Sequence, residues 1–272
     1  MTAPRRAVFL DLDGTLLNSQ KQITEENRSA IHAAVDEGHA IVLCSGRPLS
    51  CVMPLVEDLG IQSQCVICYN GGMIYDCSAK ELLFQQPLPQ DVVDTIFREA
   101  DSFGLHAHTY DSAGLLVREM DPETEFYMQS TGISVKLRPE LPRGLTEPPV
   151  KCIVMNLTDR PVLEAYRARL ESVLSDSVEL FFSNPVLLEI VSKGVSKGTA
   201  IRILCRHLGI PPERTIGAGD SENDLPMLET TALSCCMANG TDACKNASNY
   251  ITEHDCDHSG VAEIIRKFVL IP

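Results

Sequence analysis

Two aspartates, Asp11 and Asp13, stand directly after the short apolar run Ala7 to Leu10, in the string D-L-D-G-T. Side chains two residues apart at the end of a strand point to the same side, and two carboxylates placed there raise each other's pKa unless a cation lies between them. The carboxyl ends of parallel strands are also where α/β sheets hold their ligands. The pair therefore indicates a divalent-ion site, with a plain turn and N-cap cluster as the alternative interpretation.

A second acidic string, G-A-G-D-S-E-N-D from Gly217 to Asp224, follows another short apolar run late in the chain. It begins like a dinucleotide fingerprint, but the third glycine is missing and Asp220 would repel a pyrophosphate. Acidic side chains suit a metal instead. Asp220 and Asp224, together with Asp11 and Asp13, form an oxygen-rich set of the kind that Mg²⁺ accepts, with water and a substrate phosphate completing the coordination.

Two further places in the sequence could hold an anion. In C-S-G-R-P, Ser45, Gly46 and Arg47 lie between an apolar run and a predicted helix, where a hydroxyl, unpaired backbone N–H groups and a positive charge could bind it. The alternative is a plain strand-to-helix turn. Lys197 begins another predicted helix, where the helix dipole disfavours a cation, so a local anion would explain its placement. Lys193 lies close by, and this string alone does not choose between the two lysines.

The elements that must position these residues alternate between strand and helix at both ends of the chain. The predicted strands are Ala7–Leu10, Ala40–Cys44 and Thr215–Ala218, and the predicted helices are Thr24–Glu37 and Lys197–Leu208. Such alternation over short spacings predicts a parallel α/β sheet with right-handed crossovers. The stretch from about Leu83 to Pro185 departs from this alternation. It contains several strand-like segments and two predicted helices, Asp91–Ala100 and Pro161–Leu174. It predicts an α+β module inserted into the first domain.

Composition narrows the class of protein. The 272 residues carry 23 Lys plus Arg against 37 Asp plus Glu, a net charge of −14, which disfavours partners such as duplex DNA or an anionic membrane. No window approaches the roughly 18 consecutive apolar residues of a membrane span, and no secretion signal is recognisable.

The 11 cysteines are odd in number and predict reduced, buried thiols. Cys65 and Cys68 would point to opposite faces of one strand, so a zinc or redox role is disfavoured. We expect a cytoplasmic protein of about two domains.

Taken in order, the strings D-x-D-G-T, S-G, K and G-D-x-x-N-D resemble the haloacid dehalogenase-like (HAD) hydrolase superfamily, in particular its Cof-type phosphatases with a class II (IIB) cap. The resemblance covers nearly the whole chain, including Tyr69–Gly72, Gly194–Gly198, Met237–Gly240 and Ser259–Ala262. It implies a parallel-sheet, Rossmann-like HAD core with an inserted α+β cap. The core domain would comprise residues 1–83 and 186–272, and the cap domain residues 84–185, between the second and third motifs as in class II members.

The resemblance also implies roles. Asp11 would be the nucleophile that forms an aspartyl phosphate, and Asp13 the general acid and base. Mg²⁺ would be held by Asp11, Asp220 and the backbone carbonyl of Asp13. The phosphate oxygens would be bound by Ser45, Lys197, Asn223 and the backbone N–H groups of Leu12 and Gly46. Asp224 would fix Lys197 or the metal loop, and Arg47 would play a weaker part.

The implied function is Mg²⁺-dependent hydrolysis of small organic phosphate monoesters, with a small phosphorylated metabolite as substrate and neither nucleic acid nor membrane as partner. Two alternatives stay open: a phosphomutase of the phosphomannomutase kind, and a non-catalytic sensor that binds a phosphometabolite. His106 and His108 would share one face of a strand in the inserted module. They would either contact a ligand or be solvated, and the resemblance assigns neither a role.

Overall fold

The computed structural model describes residues 5–62, 64–111 and 114–270. The chain forms two compact units. The core unit comprises Met1–Gly46, Leu55–Phe84 and Ser196–Pro272, and the inserted unit comprises Arg47–Pro54 and Gln85–Val195. The predicted boundary at residue 185 precedes a strand, Leu187–Ser192, that pairs within the sheet of the inserted unit.

The core unit is built on one twisted sheet whose strands run in the order β14-β13-β12-β1-β2-β3-β4-β5. These strands are β1 (Ala7–Leu10), β2 (Ala40–Cys44), β3 (Cys65–Cys68), β4 (Met73–Asp76), β5 (Glu81–Gln85), β12 (Thr215–Gly219), β13 (Leu233–Cys236) and β14 (Tyr250–Ile251). All pairings from β14 to β3 are parallel, as predicted, whereas β4 runs antiparallel to β3. A short link after β3, too short for a crossover helix, makes that reversal necessary.

Helices cover the parallel strands, which are largely buried on both faces except for the edge strand β14. The helices of the core unit are α1 (Glu25–Asp36), α6 (Lys197–Leu208), α7 (Leu225–Thr230), α8 (Asp242–Ala247) and α9 (Gly260–Phe268), and α2 (Leu49–Leu59) begins in the inserted unit and ends in the core unit. Phe9 and Val42 of the sheet pack with Ile201 and Leu204 of α6 in one apolar cluster. On α1, Thr24 is the N-cap and accepts a hydrogen bond from the Asn27 N–H, as its position before the helix predicts.

The inserted unit has its own sheet, in the order β10-β11-β9-β6-β7-β8. Its strands are β6 (His106–Asp111), β7 (Gly114–Val117), β8 (Val135–Leu137), β9 (Lys151–Met155), β10 (Val178–Asn184) and β11 (Leu187–Ser192), and its helices are α3 (Gln90–Ser102), α4 (Pro122–Thr131) and α5 (Arg160–Leu174). The sheet is antiparallel except for the β7–β8 pair. Apolar residues of α3 and α5, such as Phe97 and Leu163, share one core with the sheet.

Helix α4 is absent from the sequence-based prediction, which places only two helices in this module. Its N-terminal signal is nevertheless present: Asp121 is the N-cap and accepts a hydrogen bond from the Thr124 N–H at 2.8 Å, with Pro122 at the first helical position. The helix lacks a one-sided apolar stripe, since Tyr127 and Thr124 are its buried residues while Phe126 is 39% exposed. The hydrophobic pattern of the sequence therefore does not predict this helix.

His106 and His108 share one face of β6, as predicted, but neither is solvated. His106 Nδ1 lies 2.6 Å from an Asp121 carboxylate oxygen, and its Nε2 lies 2.8 Å from His108 Nδ1. His108 is fully buried beside the Tyr127 ring. Burial, together with the neighbouring charges of His106 and Lys151, lowers the pKa of His108 well below its usual value. His108 is therefore a neutral group of the interior.

All 11 cysteines are free thiols, and all except the half-buried Cys51 are buried, which agrees with the prediction of reduced, buried thiols. Burial raises the pKa of Cys65 to about 12 and that of Cys77 to about 11, so these thiols stay protonated. Among the described helices, none has both the length and the apolar character needed to cross a bilayer.

Candidate active site

The candidate site lies at the carboxyl ends of neighbouring core strands. Asp11 follows β1, Ser45 follows β2, Asn70 lies in the turn after β3, and Asp220 follows β12. Because β12, β1, β2 and β3 are parallel neighbours, their carboxyl ends lie along one edge of the sheet. The Asp11 N–H still donates to the Ala218 carbonyl at 3.0 Å, so the β1–β12 ladder holds the nucleophile candidate in place.

Lys197 lies at the centre of the site and is completely buried. Its ammonium group contacts an Asp11 carboxylate oxygen in a short ion pair, and it donates to an Asp224 oxygen at 2.5 Å. The backbone at Lys197 is set by the start of α6, where Ser196 is the N-cap and accepts a hydrogen bond from the Thr199 N–H at 3.1 Å. Lys193, the other lysine of the predicted string, lies instead in the inserted unit, 3.3 Å from Glu179 and half exposed.

The electrostatics of this cluster follow from its burial. Burial disfavours the charged form of Lys197, but the charges of Asp11 and Asp224 outweigh that effect and raise its pKa. Burial and the repulsion from Asp224 raise the pKa of Asp11 well above its usual value, although Lys197 opposes them. The same two causes raise the pKa of Asp220 to about 7. One ammonium group thus lies among three crowded carboxylates, and this crowding favours the protonated forms of Asp11 and Asp220.

Asp11, Asp220 and Asp224 each offer an oxygen atom, and these atoms lie within 4.8 Å of one another, which is close enough for one metal ion. The two oxygens of Asp224 are already engaged: one contacts Lys197, and the other accepts the N–H groups of Asp220 at 2.9 Å and Ser221 at 3.1 Å. Asp224 therefore fixes both Lys197 and the backbone of the acidic loop. Asp11 and Asp220 are the carboxylates better placed to hold a cation.

The turn after Asp13 is shaped around Asp220. Gly14 has φ +82°, and a Cβ atom there would lie 2.6 Å from an Asp220 carboxylate oxygen, so only glycine fits. Thr15 donates to the other Asp220 oxygen at 3.2 Å, and Asn239 donates to the Gly14 carbonyl at 2.8 Å. Sequence reasoning did not single out Thr15 for this contact. Its position in D-x-D-G-T was the available signal.

The Asp13 side chain is 40% exposed and forms an ion pair with Lys21 at 2.7 Å. Lys21 has a left-handed backbone, with φ 59°, in a turn where Asn18 accepts the N–H groups of Gln20 and Gln22. The Asp13 carboxylate is thus partly open to solvent, which suits a group that exchanges protons. Lys21 was not among the predicted site residues, because its contact with Asp13 depends on the fold of the turn.

Two other predicted phosphate-binding side chains, those of Ser45 and Asn223, are buried. Ser45 is 2% exposed, and Asn223 is 5% exposed in the middle of the acidic 3-10 turn Glu222–Asp224. Ser221 donates to Asn223 Oδ1 at 2.7 Å, and one Asn223 amide N–H donates to Asn70 Oδ1 at 3.1 Å. Asn70 lies in the stretch Tyr69–Gly72 that the family resemblance covers, but it was not predicted as a site residue.

Leu12 and Gly46, predicted to contribute backbone N–H groups, directly follow Asp11 and Ser45 in the core unit. Arg47, predicted as a weaker contributor, is half-buried and falls in the inserted unit. The centre of the site is made by the buried Asp11, Lys197 and Asp224 together with the half-buried Asp220.

A family model described as haloacid dehalogenase-like hydrolase matches residues 8–265. The chain belongs to this family. It is 32% identical over 269 residues to a candidate phosphatase from Streptococcus pyogenes serotype M6, covering 97% of this chain and 98% of that protein. It is 29% identical over 269 residues to a 5-amino-6-(5-phospho-D-ribitylamino)uracil phosphatase from Bacillus subtilis, covering 97% and 96%.

Solved structures agree with that assignment. A haloacid dehalogenase-like hydrolase from Bacteroides thetaiotaomicron superposes with a TM-score of 0.88 at 30% identity, covering 96% of this chain and 98% of that one. A sugar phosphatase of HAD subclass IIB superposes with a TM-score of 0.85 at 20% identity, covering 98% of this chain and 100% of that one, and it shows the fold alone. The present haloacid dehalogenase-like hydrolase is a phosphatase, and its α/β fold with an inserted α+β unit is the predicted one.

Proposed function

We propose that this phosphatase hydrolyses small organic phosphate monoesters, such as sugar phosphates, through an aspartyl-phosphate intermediate and with Mg²⁺. The observation that carries the proposal is the buried carboxylate of Asp11, in contact with Lys197 and beside Asp220. The ammonium group orients this carboxylate and opposes the rise of its pKa, and both effects favour an ionised nucleophile. The name of the Bacillus subtilis relative, whose substrate is a small phosphate ester, supports the substrate class.

The donor set fits Mg²⁺. The candidate ligands offer oxygen only, which this ion prefers. Three carboxylates share a single ammonium group, so a cation would relieve the repulsion that raises the pKa values of Asp11 and Asp220. Asp11, Asp220 and the backbone carbonyl of Asp13 would hold it. When bound, the ion would neutralise negative charge on the phosphoryl group.

The chain's own residues would carry out the hydrolysis in two steps. An Asp11 carboxylate oxygen forms a bond to phosphorus while the bond from phosphorus to the alcohol oxygen breaks, and Asp13 gives its proton to that oxygen. Asp13 then takes a proton from water, whose oxygen attacks phosphorus and releases Asp11. Lys197, Ser45, Asn223 and the N–H groups of Leu12 and Gly46 would bind the phosphate oxygens. Asp224 would keep Lys197 in place.

We propose that the inserted unit, predicted from residues 84–185, serves as the class II cap and selects the substrate. The core-site residues would contact only the phosphoryl group, so discrimination between esters must come from elsewhere in the chain.

The 11 free thiols support the predicted cytoplasmic location, because disulfides are rare in that compartment.

The test is a direct assay of the purified protein with p-nitrophenyl phosphate and a panel of sugar phosphates in the presence of Mg²⁺. We expect hydrolysis of several esters, and Asp11→Asn, which removes no volume, should abolish turnover while leaving the melting temperature nearly unchanged. Interconversion of hexose 1- and 6-phosphates would favour the phosphomutase alternative. Binding without any release of phosphate would favour the sensor. An Asn variant that keeps more than about one per cent of activity would refute the nucleophile assignment.

A further inference from the structure

The turn after β3 has an unusual backbone. Tyr69 and Asn70 are consecutive non-glycine residues in the left-handed region, with φ 52° and 55°, and Gly71 follows with φ 103°. Such conformations are costly for residues with a side chain, Asn being among the more tolerant types, and they persist where the surroundings impose them. This turn is buried, and it adjoins the candidate site.

Asn70 joins two of the proposed phosphate-binding residues. Its backbone N–H donates to the Ser45 carbonyl at 3.0 Å, and its side-chain Oδ1 accepts from Asn223 Nδ2 at 3.1 Å. Ser221 donates to the other end of the same Asn223 amide at 2.7 Å. With both ends held, the Asn223 amide plane cannot rotate, and its second N–H keeps a constant direction for an acceptor.

Gly71 brings the same turn against a third phosphate-binding residue. A Cβ atom at Gly71 would lie 2.2 Å from the Ser196 carbonyl oxygen and 3.1 Å from the Lys197 backbone nitrogen. The turn therefore packs directly on the peptide that begins α6. A side chain there would clash with this peptide and displace it, and with it the backbone of Lys197.

We propose that Asn70 is a positioning residue for phosphate binding, and that the turn Tyr69–Gly72 sets the mutual arrangement of Ser45, Asn223 and Lys197. The inference rests on the proposed function, because it assumes that these three residues bind the phosphoryl group. The left-handed backbone is the means: it lets Asn70 direct its N–H to Ser45, just after β2, and its amide oxygen to the acidic loop.

Asn70→Gly separates this role from simple turn formation, because glycine accepts the left-handed backbone while removing the acceptor for Asn223. Lys80→Gly is the matched control, since Lys80 has φ 55° in the exposed turn between β4 and β5. We expect the inhibition constant of inorganic phosphate to rise about 3- to 10-fold in N70G, the value of one lost hydrogen bond, with kcat/KM for p-nitrophenyl phosphate falling alike. K80G should match the wild type in both.

Gly71→Ala provides a second comparison. Gly38 also has a left-handed backbone, with φ +82°, but a Cβ atom there meets nothing within 4 Å. G38A and G71A therefore share the backbone strain, and only G71A adds a clash with Ser196. We expect G71A to lower kcat/KM by about 100-fold, as misplacement of a site by about 1 Å does, and G38A to leave it unchanged.

The outcomes separate this inference from the proposed function. A wild-type protein that neither hydrolyses p-nitrophenyl phosphate nor binds inorganic phosphate would refute the proposed function. An active wild type with N70G indistinguishable from K80G would overturn the inference alone. An N70G protein that does not fold, or a G71A effect no larger than that of G38A, would assign the turn to stability and overturn it as well.

Discussion

Lys197→Met is expected to destabilise the protein strongly, although it preserves most of the side-chain volume. Lys197 is fully buried between Asp11 and Asp224, so the substitution leaves two buried carboxylates without their counter-ion. Breaking a buried ion pair from one side costs about 3–5 kcal/mol in proteins. A domain of this size loses roughly 2–4 °C of melting temperature per kcal/mol, so the expected decrease is roughly 6–20 °C.

Calorimetry in buffer containing a chelator measures this decrease without any contribution from a bound ion. Lys193→Met is the matched control: it removes a lysine four positions earlier whose side chain is 51% exposed beside Glu179, a pair worth at most about 1 kcal/mol. The double variant K197M/D224N should melt at a higher temperature than K197M, because it removes one of the two uncompensated charges. A K197M protein that melts within about 2 °C of the wild type, or a double variant whose decrease equals the sum of the single ones, would refute this reasoning.

Three further predictions concern catalysis, the metal and the inserted unit. Asp13→Ala should slow both formation and breakdown of the aspartyl phosphate by about 10²–10⁴-fold, which rapid-quench single-turnover measurements would detect; an unchanged profile would exclude a proton-transfer role. Chelation should abolish hydrolysis of p-nitrophenyl phosphate and Mg²⁺ should restore it, because the carboxylates of the site and a dianionic phosphate repel one another; full activity with no metal bound would contradict this. The inserted unit should lose stability as the pH falls below about 6.5, because His108 has a lowered pKa in the native state and takes up a proton only on unfolding, at up to about 1.4 kcal/mol per pH unit. Urea unfolding of wild type and His108→Phe at pH 7.5 and 5.5 would check it, and an equal pH dependence in both proteins would count against the assignment.

Much of the site could be predicted because its residues follow strands directly. Asp11 comes after β1 and Asp220 after β12, and local patterning identifies both strands. Once the strands are parallel neighbours, their carboxyl ends must meet at one edge, so the two acidic strings come together. The helix from Lys197 to Leu208 was predicted with the same bounds, since Ser196 caps it and Gly209 ends it.

Contacts between distant parts of the chain could not be predicted in this way. Lys197 and Lys193 look equivalent in the sequence, and only the docking of α6 beside the sheet buries the first among carboxylates while the second faces Glu179. Helix α4 was not predicted, because its few buried residues do not form the one-sided apolar pattern of an amphipathic helix. The solvated alternative for His106 and His108 was wrong, because β6 lies inside its sheet and Tyr127 of α4 covers His108.

The sequence by itself determined which chemical groups follow each strand, since strand, turn and cap signals act over a few neighbouring residues. The tertiary structure alone decided how those groups are oriented: Asp224 toward Lys197, Asp13 toward Lys21, and Asn70 toward Asn223. Each of these orientations depends on a partner that strand order and helix packing bring near. Burial and the nearby charge of Asp224 then raise the pKa values of Asp11 and Asp220, because neither carboxylate would be desolvated in an exposed turn.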